Sequence, residues 1–539
     1  MNQVELLDCT LRDGGYVNDW HFGHNNIVNL FERLVSAGVD YIEIGFLDQR
    51  RPFDMDRTIT PDTHGMDTIY EGLKKGNSTI VAMIDYGTCA IEHIAPCSET
   101  IIDGIRVIFK KQKMHEAIAY CKQIKDLGYK VFVQAVSITS YSDEELGELI
   151  GLVNDLRPYA FSLVDTYGLL HKSQLMHYFD FANEHLHQEI ALGYHAHNNF
   201  QLAFANCVEL IEQSEVSRNI LVDGSLYGMG KSAGNAPTEL LASYMNENIC
   251  KKYHVNQLME AIDVTILDIY HRIPWGYAFK FFVSASHDCH PNYVTYLMNK
   301  KKLSMSSIHH ILSKLEGEEK LLYDQDYIES LYVQYQQIEC NDATDMEALK
   351  KELQQKFVLL LGPGKSIQSR ESDVQKYISE NNPVVISINF MPEQYKMDYV
   401  FLSNAKRYVQ QATHISKKAE DIRLIATSNV TRADGAFDYV FSYSSLLDEE
   451  ALIVDNPMIM LIRLLDQIGV KKIGLAGFDG YEKTELPNYV NANMEHTFSK
   501  EKAREINEDV VKSLNRLQPK VTIEYVTSSL YQEIEACMK

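Results

Sequence analysis

The chain has 539 residues, 45% of them hydrophobic, and carries 74 acidic against 51 basic side chains for a formal charge of −23. That length exceeds what one core supports, so two or three domains are expected; the hydrophobic share excludes a disordered chain, and the charge excludes general binding to nucleic acid or anionic membranes. The nine cysteines form no CxxC pair, no run approaches the roughly 18–20 apolar residues of a spanning helix, and MNQVELLDCT lacks signal-peptide character, so a reduced, cytoplasmic protein with small-molecule partners is expected.

In chain order, apolar runs of strand length occur at VELLDCT (4–10), YIEIGFL (41–47), TIVAMIDY (79–86), GIRVIF (104–109), VFVQAVS (131–137), AFSLVDT (160–166), IALGYHAH (190–197) and ILVDGS (220–225). Helix-like segments separate them, such as NNIVNLFERLVSAG and KMHEAIAYCKQIKDLG; SDEELGELIGLVNDL opens with a capping-box pattern of Ser142 and Glu145. Strand–helix alternation on this scale predicts a (β/α)8 TIM barrel over residues 1–250, with its active site at the carboxyl ends of the strands.

From 251 to 355 the pattern turns helical and includes the aromatic stretch WGYAFKFF, whose Trp275, Tyr277, Phe279, Phe281 and Phe282 read as core or as a cap on the barrel mouth. The HDCH turn (His287–His290) lacks a second ligand pair at zinc-site spacing and reads as structural. Strand-like runs resume over 356–539 at FVLLLGPGKS, PVVISINF, DYVFLSN, IRLIATSN, FDYVFSY, KKIGLAGFDG and VTIEYVT, which predicts a Rossmann-like α/β domain. A P-loop reading of LLLGPGKS fails because GxxxxGK needs a glycine at Leu359. Gly362 and Gly364 remain candidate cofactor-binding positions in a turn able to cradle a phosphate.

Polar groups collect at the ends of the barrel strands. Arg12 and Asp13 close the first strand, Glu43 lies in the second, Asp165 and Thr166 close the run 160–166, and His195 and His197 end the run 190–197. Residues two apart on a strand face the same way, so both imidazoles point to one side. With the Asp13 carboxylate they make a three-ligand site for a divalent ion that leaves positions open for substrate.

The stretch DCTLRDG (8–14), followed by IEIGF, LVDTYG, YHAHNN and GMGKSAGNAP (228–237), resembles the DRE-TIM metallolyase superfamily of HMG-CoA lyase-like barrels, and within it the 4-hydroxy-2-oxovalerate aldolases. The resemblance implies a metal-dependent aldolase acting on a hydroxy-2-oxo acid through a pyruvate-type enolate. Asp13, His195 and His197 would be the metal ligands with Asn235 as a fourth, and the ion Mn²⁺, or Mg²⁺, Co²⁺ or Zn²⁺. Arg12 would face the 2-oxo group, Asp165 and Thr166 would contact substrate, and Gly14 and Gly15 would let the backbone turn close to the ion.

Where those aldolases carry a histidine base this chain has Tyr16, and where the related synthases carry glutamine it has Gly15. Tyr16, drawn toward a phenolate by the ion and Arg12, is the expected base, with His21 or a metal-bound water as the alternatives. GMGKSAGN lacks the catalytic cysteine of the CoA lyases. The other readings are a Claisen-type acyl-CoA/2-oxo acid synthase, and a scaffold or sugar-transfer protein with an inactive barrel. The second half loosely resembles the Rossmann-like domains of motility accessory factors and sialyltransferase-like proteins, which implies a nucleotide or nucleotide-sugar ligand. A homo-oligomer is expected.

Overall fold

The computed structural model describes residues 4–213, 218–320, 322–337, 340–418, 422–430, 437–481, 489 and 499–538. They divide into two compact units, Met1–Pro291 and Asn292–Lys539, so the helices Val255–Ala261, Leu267–Arg272 and Phe279–Ser286 belong with the first unit. No helix among the described residues is long and apolar enough to cross a membrane.

The first unit is a closed parallel barrel of β1 (Val4–Asp8), β2 (Tyr41–Leu47), β4 (Thr79–Asp85), β5 (Gly104–Phe109), β6 (Lys130–Ala135), β7 (Ala160–Asp165), β8 (Ala191–Ala196) and β9 (Ile220–Gly224), with a two-residue β3 (Ile59–Thr60) beside β2. Closure comes from β1, which pairs with β9 through Val4↔Ile220 to Asp8↔Gly224 and with β2 through Leu7↔Tyr41. All eight runs form strands at the expected places, because a parallel strand buried on both faces reads as a continuous apolar run. The capping box is present: Ser142 Oγ accepts from the Glu145 amide at 3.2 Å, and Glu145 Oε2 accepts from the Ser142 amide at 2.9 Å.

The barrel interior is layered. Leu7, Tyr41, Val81, Phe132, Ala160, Ala191 and Leu221 form one buried apolar cluster. Two residues further along the same strands stand Glu43, Gln134, Ser162 and Asp223, which the strand period puts on the same inner face, one layer nearer the carboxyl ends. A polar floor therefore lies beneath the strand ends, and charges buried there require partners.

The second unit is built on a seven-stranded parallel sheet ordered β14-β13-β12-β11-β10-β15-β16, with β10 Phe357–Leu361, β11 Val384–Ile388, β12 Tyr399–Leu402, β13 Arg423–Thr427, β14 Tyr439–Phe441, β15 Lys472–Ala476 and β16 Thr522–Tyr525. Val358 and Leu360 pack into one core while Leu359 and Leu361 pack into another, so the sheet is covered on both faces as a doubly wound fold requires. The strand order reverses between β10 and β15.

Candidate active site

The chain leaves β1 through a tight turn in which the Asp13 amide donates to Cys9 O at 2.7 Å, and a short helix Gly15–Asn18 follows. A Cβ on Gly15 would lie 2.0 Å from the Trp20 indole, and one on Gly14 would lie 2.3 Å from Thr10 O. These glycines are thus required for space around Trp20 and Thr10, and Gly14 has helical dihedrals (φ −56°, ψ −29°). Trp20 is locked in turn by its Nε1–H, which donates to Arg12 O at 2.8 Å.

Asp13, His195 and His197 converge: one oxygen or nitrogen of each lies within 4.8 Å of those of the other two, and among the described residues this is the group able to hold a metal ion. All three are buried. His195 Nδ1 lies 2.9 Å from Asp223 Oδ2, and His197 Nδ1 lies 3.1 Å from Lys231 O. Carboxylate and carbonyl oxygens can only accept, so both Nδ1 atoms carry the proton and both Nε2 lone pairs are left for a metal. Burial, together with the nearby His195 and Lys231, pushes His197 down to about 3 against the pull of Asp13, which keeps its imidazole neutral and ligand-competent. Burial works against ionisation of Asp13, but Arg12 and the two imidazoles hold its carboxyl well below the usual carboxylate range.

Asn235 reaches the site from the 225–237 loop. Its Nδ2 donates to Asp13 Oδ2 at 2.8 Å, and its Oδ1 is buried with no protein partner. A Cβ on Gly230 would lie 2.3 Å from Asn235 Nδ2 and 2.5 Å from Asp13 Oδ2, so glycine is what lets the loop close over these groups. An orphaned amide oxygen beside one carboxylate and two oriented imidazoles fits a divalent cation.

Arg12 links Asp13 to the floor. Its Nη1 donates to Asp13 Oδ1 at 2.5 Å and its Nε to Glu43 Oε2 at 2.7 Å. Glu43 Oε2 also accepts from Arg106 Nη1 at 3.0 Å, and Arg106 Nη2 donates to Asp223 and to Gln134 Oε1. A continuous buried network thus runs Asp13, Arg12, Glu43, Arg106, Asp223, His195. Glu43 is completely buried and holds Arg12 in place, which makes it a positioning residue. Asp223, Arg106 and Lys231 were not singled out from the sequence. The signal for the first two is a lone charge inside an otherwise apolar strand, which must be paired.

Other expected site residues are placed differently. Both Asp165 oxygens accept from the chain's own amides, Leu169 at 2.8 Å and Leu170 at 3.0 Å, so the carboxylate shapes the loop after β7. Thr166 Oγ1 accepts from the Ser137 amide at 2.8 Å and keeps its hydroxyl proton to donate. Tyr16 is 41% exposed at the rim, packed edge-on to Trp20 and Phe46. The protein's own groups do not draw it toward a phenolate: burial and the carboxylates of Asp13, Asp85 and Glu43 push the phenol up, with Arg12 opposing. His21 is exposed, its backbone bridged to Arg57, and its side chain makes no contact with the cluster among the described residues.

The aromatic stretch serves the loop. Trp275 Nε1–H donates to Tyr227 O at 3.0 Å, bracing the segment that carries Asn235. Tyr277, Phe279 and Phe282 are 59%, 47% and 43% exposed, which corrects their reading as core. In the second unit, Cβ atoms on Gly362 and Gly364 would meet Gly477 O at 2.5 Å and the Asp479 carboxyl at 2.6 Å. Asp479 also accepts from the Ser366 amide at 2.8 Å, where a phosphate-cradling turn would hold its anion. These glycines therefore serve the close approach of the β10 and β15 turns.

Fold and site together define a (β/α)8 barrel with a carboxylate–imidazole cluster able to hold a metal ion at its carboxyl-terminal rim. Residues 3–265 match the HMGL-like family model, and the barrel belongs to that family within the DRE-TIM metallolyase superfamily. The chain is 24% identical over 250 residues to the 4-hydroxy-2-oxovalerate aldolase of Pelotomaculum thermopropionicum, covering 46% of this chain and 70% of the relative. It is 22% identical over 240 residues to the oxaloacetate decarboxylase of Mycobacterium tuberculosis, covering 44% and 68%. A solved structure of the HMG-CoA lyase of Bacillus subtilis is similar with a TM-score of 0.40 at 17% identity, over 51% of this chain and 95% of that one.

Proposed function

We propose that the barrel is a divalent-metal-dependent carbon–carbon lyase that cleaves a hydroxy-2-oxo acid to pyruvate and an aldehyde. The observation that carries this reading is the convergence of Asp13, His195 and His197 beside Arg12 at the strand ends. In the reaction the C3–C4 bond breaks and its electron pair moves through C3 to the 2-oxo oxygen. The C4 hydroxyl gives up its proton and becomes the aldehyde carbonyl, and the enolate is then protonated at C3. A cation held by the three ligands and Asn235, Mn²⁺ or another hard divalent ion, would supply positive charge opposite the developing enolate oxygen.

The chain's own residues prepare that step. Arg12, fixed by Glu43 and Asp13, offers permanently charged N–H groups beside the site, and its fixed position costs no reorganisation as charge develops. Thr166 keeps a hydroxyl proton for a substrate oxygen. Tyr16, whose phenol stays protonated, suits donation at the rim rather than proton abstraction. Loss of CO2 from oxaloacetate leaves the same enolate, so that acid belongs in the same screen.

The test is pyruvate release from a panel of 4-hydroxy-2-oxo acids and oxaloacetate, by protein stripped of metal and then reloaded with Mn²⁺, Co²⁺ or Mg²⁺. Restored release supports the reading; full activity in the stripped protein sinks it.

For the second unit we propose a small-ligand site, nucleotide or nucleotide-sugar in kind, in a cavity of about 510 Å³ at the carboxyl ends of β10, β11 and β15, lined by Gly364, Asn389 and Arg407. Location at the strand-order reversal supports it. Equilibrium dialysis with UDP and CMP tests it, and no retention of either counts against it.

A further inference from the structure

Lys231 is a cation of the barrel mouth that the metal site leaves unused. Its backbone is fully engaged: the amide donates to Asp13 Oδ2 at 3.1 Å and the carbonyl accepts from His197 Nδ1 at 3.1 Å. These two bonds fix where the side chain starts, beside two of the three ligands. Its ammonium lies 5.5 Å from the centre of the Tyr16 ring and forms no ion pair among the described residues. Burial and, after it, Arg12 push its amine below the usual lysine range, while the carboxylates of Asp13 and Asp85 favour the charged form. Asp13 already bonds Arg12 and Asn235, and Asp85 stands exposed at the end of β4.

Depth separates this cation from Arg12. Arg12 and Glu43 are 5% and 0% exposed on the floor side, whereas Tyr16, over which Lys231 lies, is 41% exposed toward solvent. A 2-oxo acid at a cation held by these three residues would bind through its carboxylate and oxo end, leaving the rest of its carbon chain to extend toward the mouth. The group that meets Lys231 is therefore on the aldehyde-derived end. In a chain with a formal charge of −23, a half-buried ammonium without a carboxylate partner at the site entrance is suited to a negative group brought by the ligand.

We infer that Lys231 is a specificity-determining residue that holds an anionic group on the distal end of the substrate, so that the substrates are hydroxy-2-oxo acids carrying a second carboxylate or a phosphate. This rests on the enolate reading of the barrel and adds the charge of the aldehyde to it. The aldehyde released is anionic.

Binding tests it without turnover. Calorimetric titration of the Mn²⁺-loaded protein with 2-oxoglutarate and with 2-oxovalerate compares five-carbon 2-oxo acids with and without a distal carboxylate. Wild type is expected to bind 2-oxoglutarate at least about tenfold more tightly. In Lys231→Met that ratio should fall to near one, while Lys231→Arg keeps it; bound Mn²⁺ measured in each variant verifies that the site is intact. Condensation of pyruvate with succinic semialdehyde, glyceraldehyde 3-phosphate and propanal then separates carboxylate from phosphate.

Equal binding of the two acids and no preference for either anionic aldehyde in wild type would overturn the inference, as would an unchanged ratio in Lys231→Met. Exchange of the pyruvate methyl protons in D2O by wild type reports enolate formation with no acceptor present. Exchange without anionic preference removes the role of Lys231 alone; no exchange removes the enolate reading and this inference with it.

Discussion

Asp223, inside β9, accepts the Nδ1–H of His195 at 2.9 Å, and the same oxygen takes an N–H of Arg106. One carboxylate thereby sets the tautomer of His195 and neutralises the charge beneath it. Asp223→Asn keeps the shape but weakens the acceptor, so affinity for Mn²⁺ should fall by about 10- to 100-fold. Competition with a fluorescent chelator measures it, and wild-type affinity would remove Asp223 from the account.

Arg12→Lys keeps a positive charge but loses the fork that joins Asp13 to Glu43. Turnover should fall by roughly 10²-fold or more while metal content stays near wild type. Wild-type turnover would reduce Arg12 to a structural partner of Glu43.

Tyr16→Phe should lower turnover without moving the pH–rate profile, because the phenol it removes is protonated throughout the neutral range. His21→Ala should be mild. A profile whose limb near neutrality vanishes in the Phe variant would return Tyr16 to the role of base.

Asp8, at the end of β1, gives a pH signature in stability. It is fully buried, accepting from Thr238 Oγ1 at 2.6 Å and the Thr10 amide at 2.9 Å, and burial raises its carboxyl to about 6 despite those bonds. An unfolded aspartate titrates near ~3.9, so the native state binds the extra proton between that value and about 6, and wild type loses stability as pH rises through this window. Asp8→Asn has no such loss. The melting temperature of the variant relative to wild type should therefore climb between those two pH values and level off above them; a flat difference would show that Asp8 is not carrying the proton.

Much of this was legible in the sequence, and the reason is physical. Parallel strands buried on both faces leave apolar runs, and the segments that close β1 and β8 carry a carboxylate and two imidazoles, so Asp13, His195 and His197 stand out. The floor was harder to read. Arg106 and Asp223 are single charges in GIRVIF and ILVDG, and only the barrel's closure, which brings β5 and β9 within reach of each other, reveals their partner. The loop-amide partners of Asp165 were not legible, because a carboxylate at a strand end looks the same whether it faces substrate or its own loop. Tyr277, Phe279 and Phe282 misled because an aromatic run does not say which of its faces is covered.

The most direct test of the metal centre is calorimetric titration of metal-stripped protein with Mn²⁺, in wild type and in His195→Ala/His197→Ala. The account expects one tight site per chain in wild type and its loss in the double variant, with the melting temperature of the stripped proteins nearly equal. Identical Mn²⁺ binding in both would contradict it.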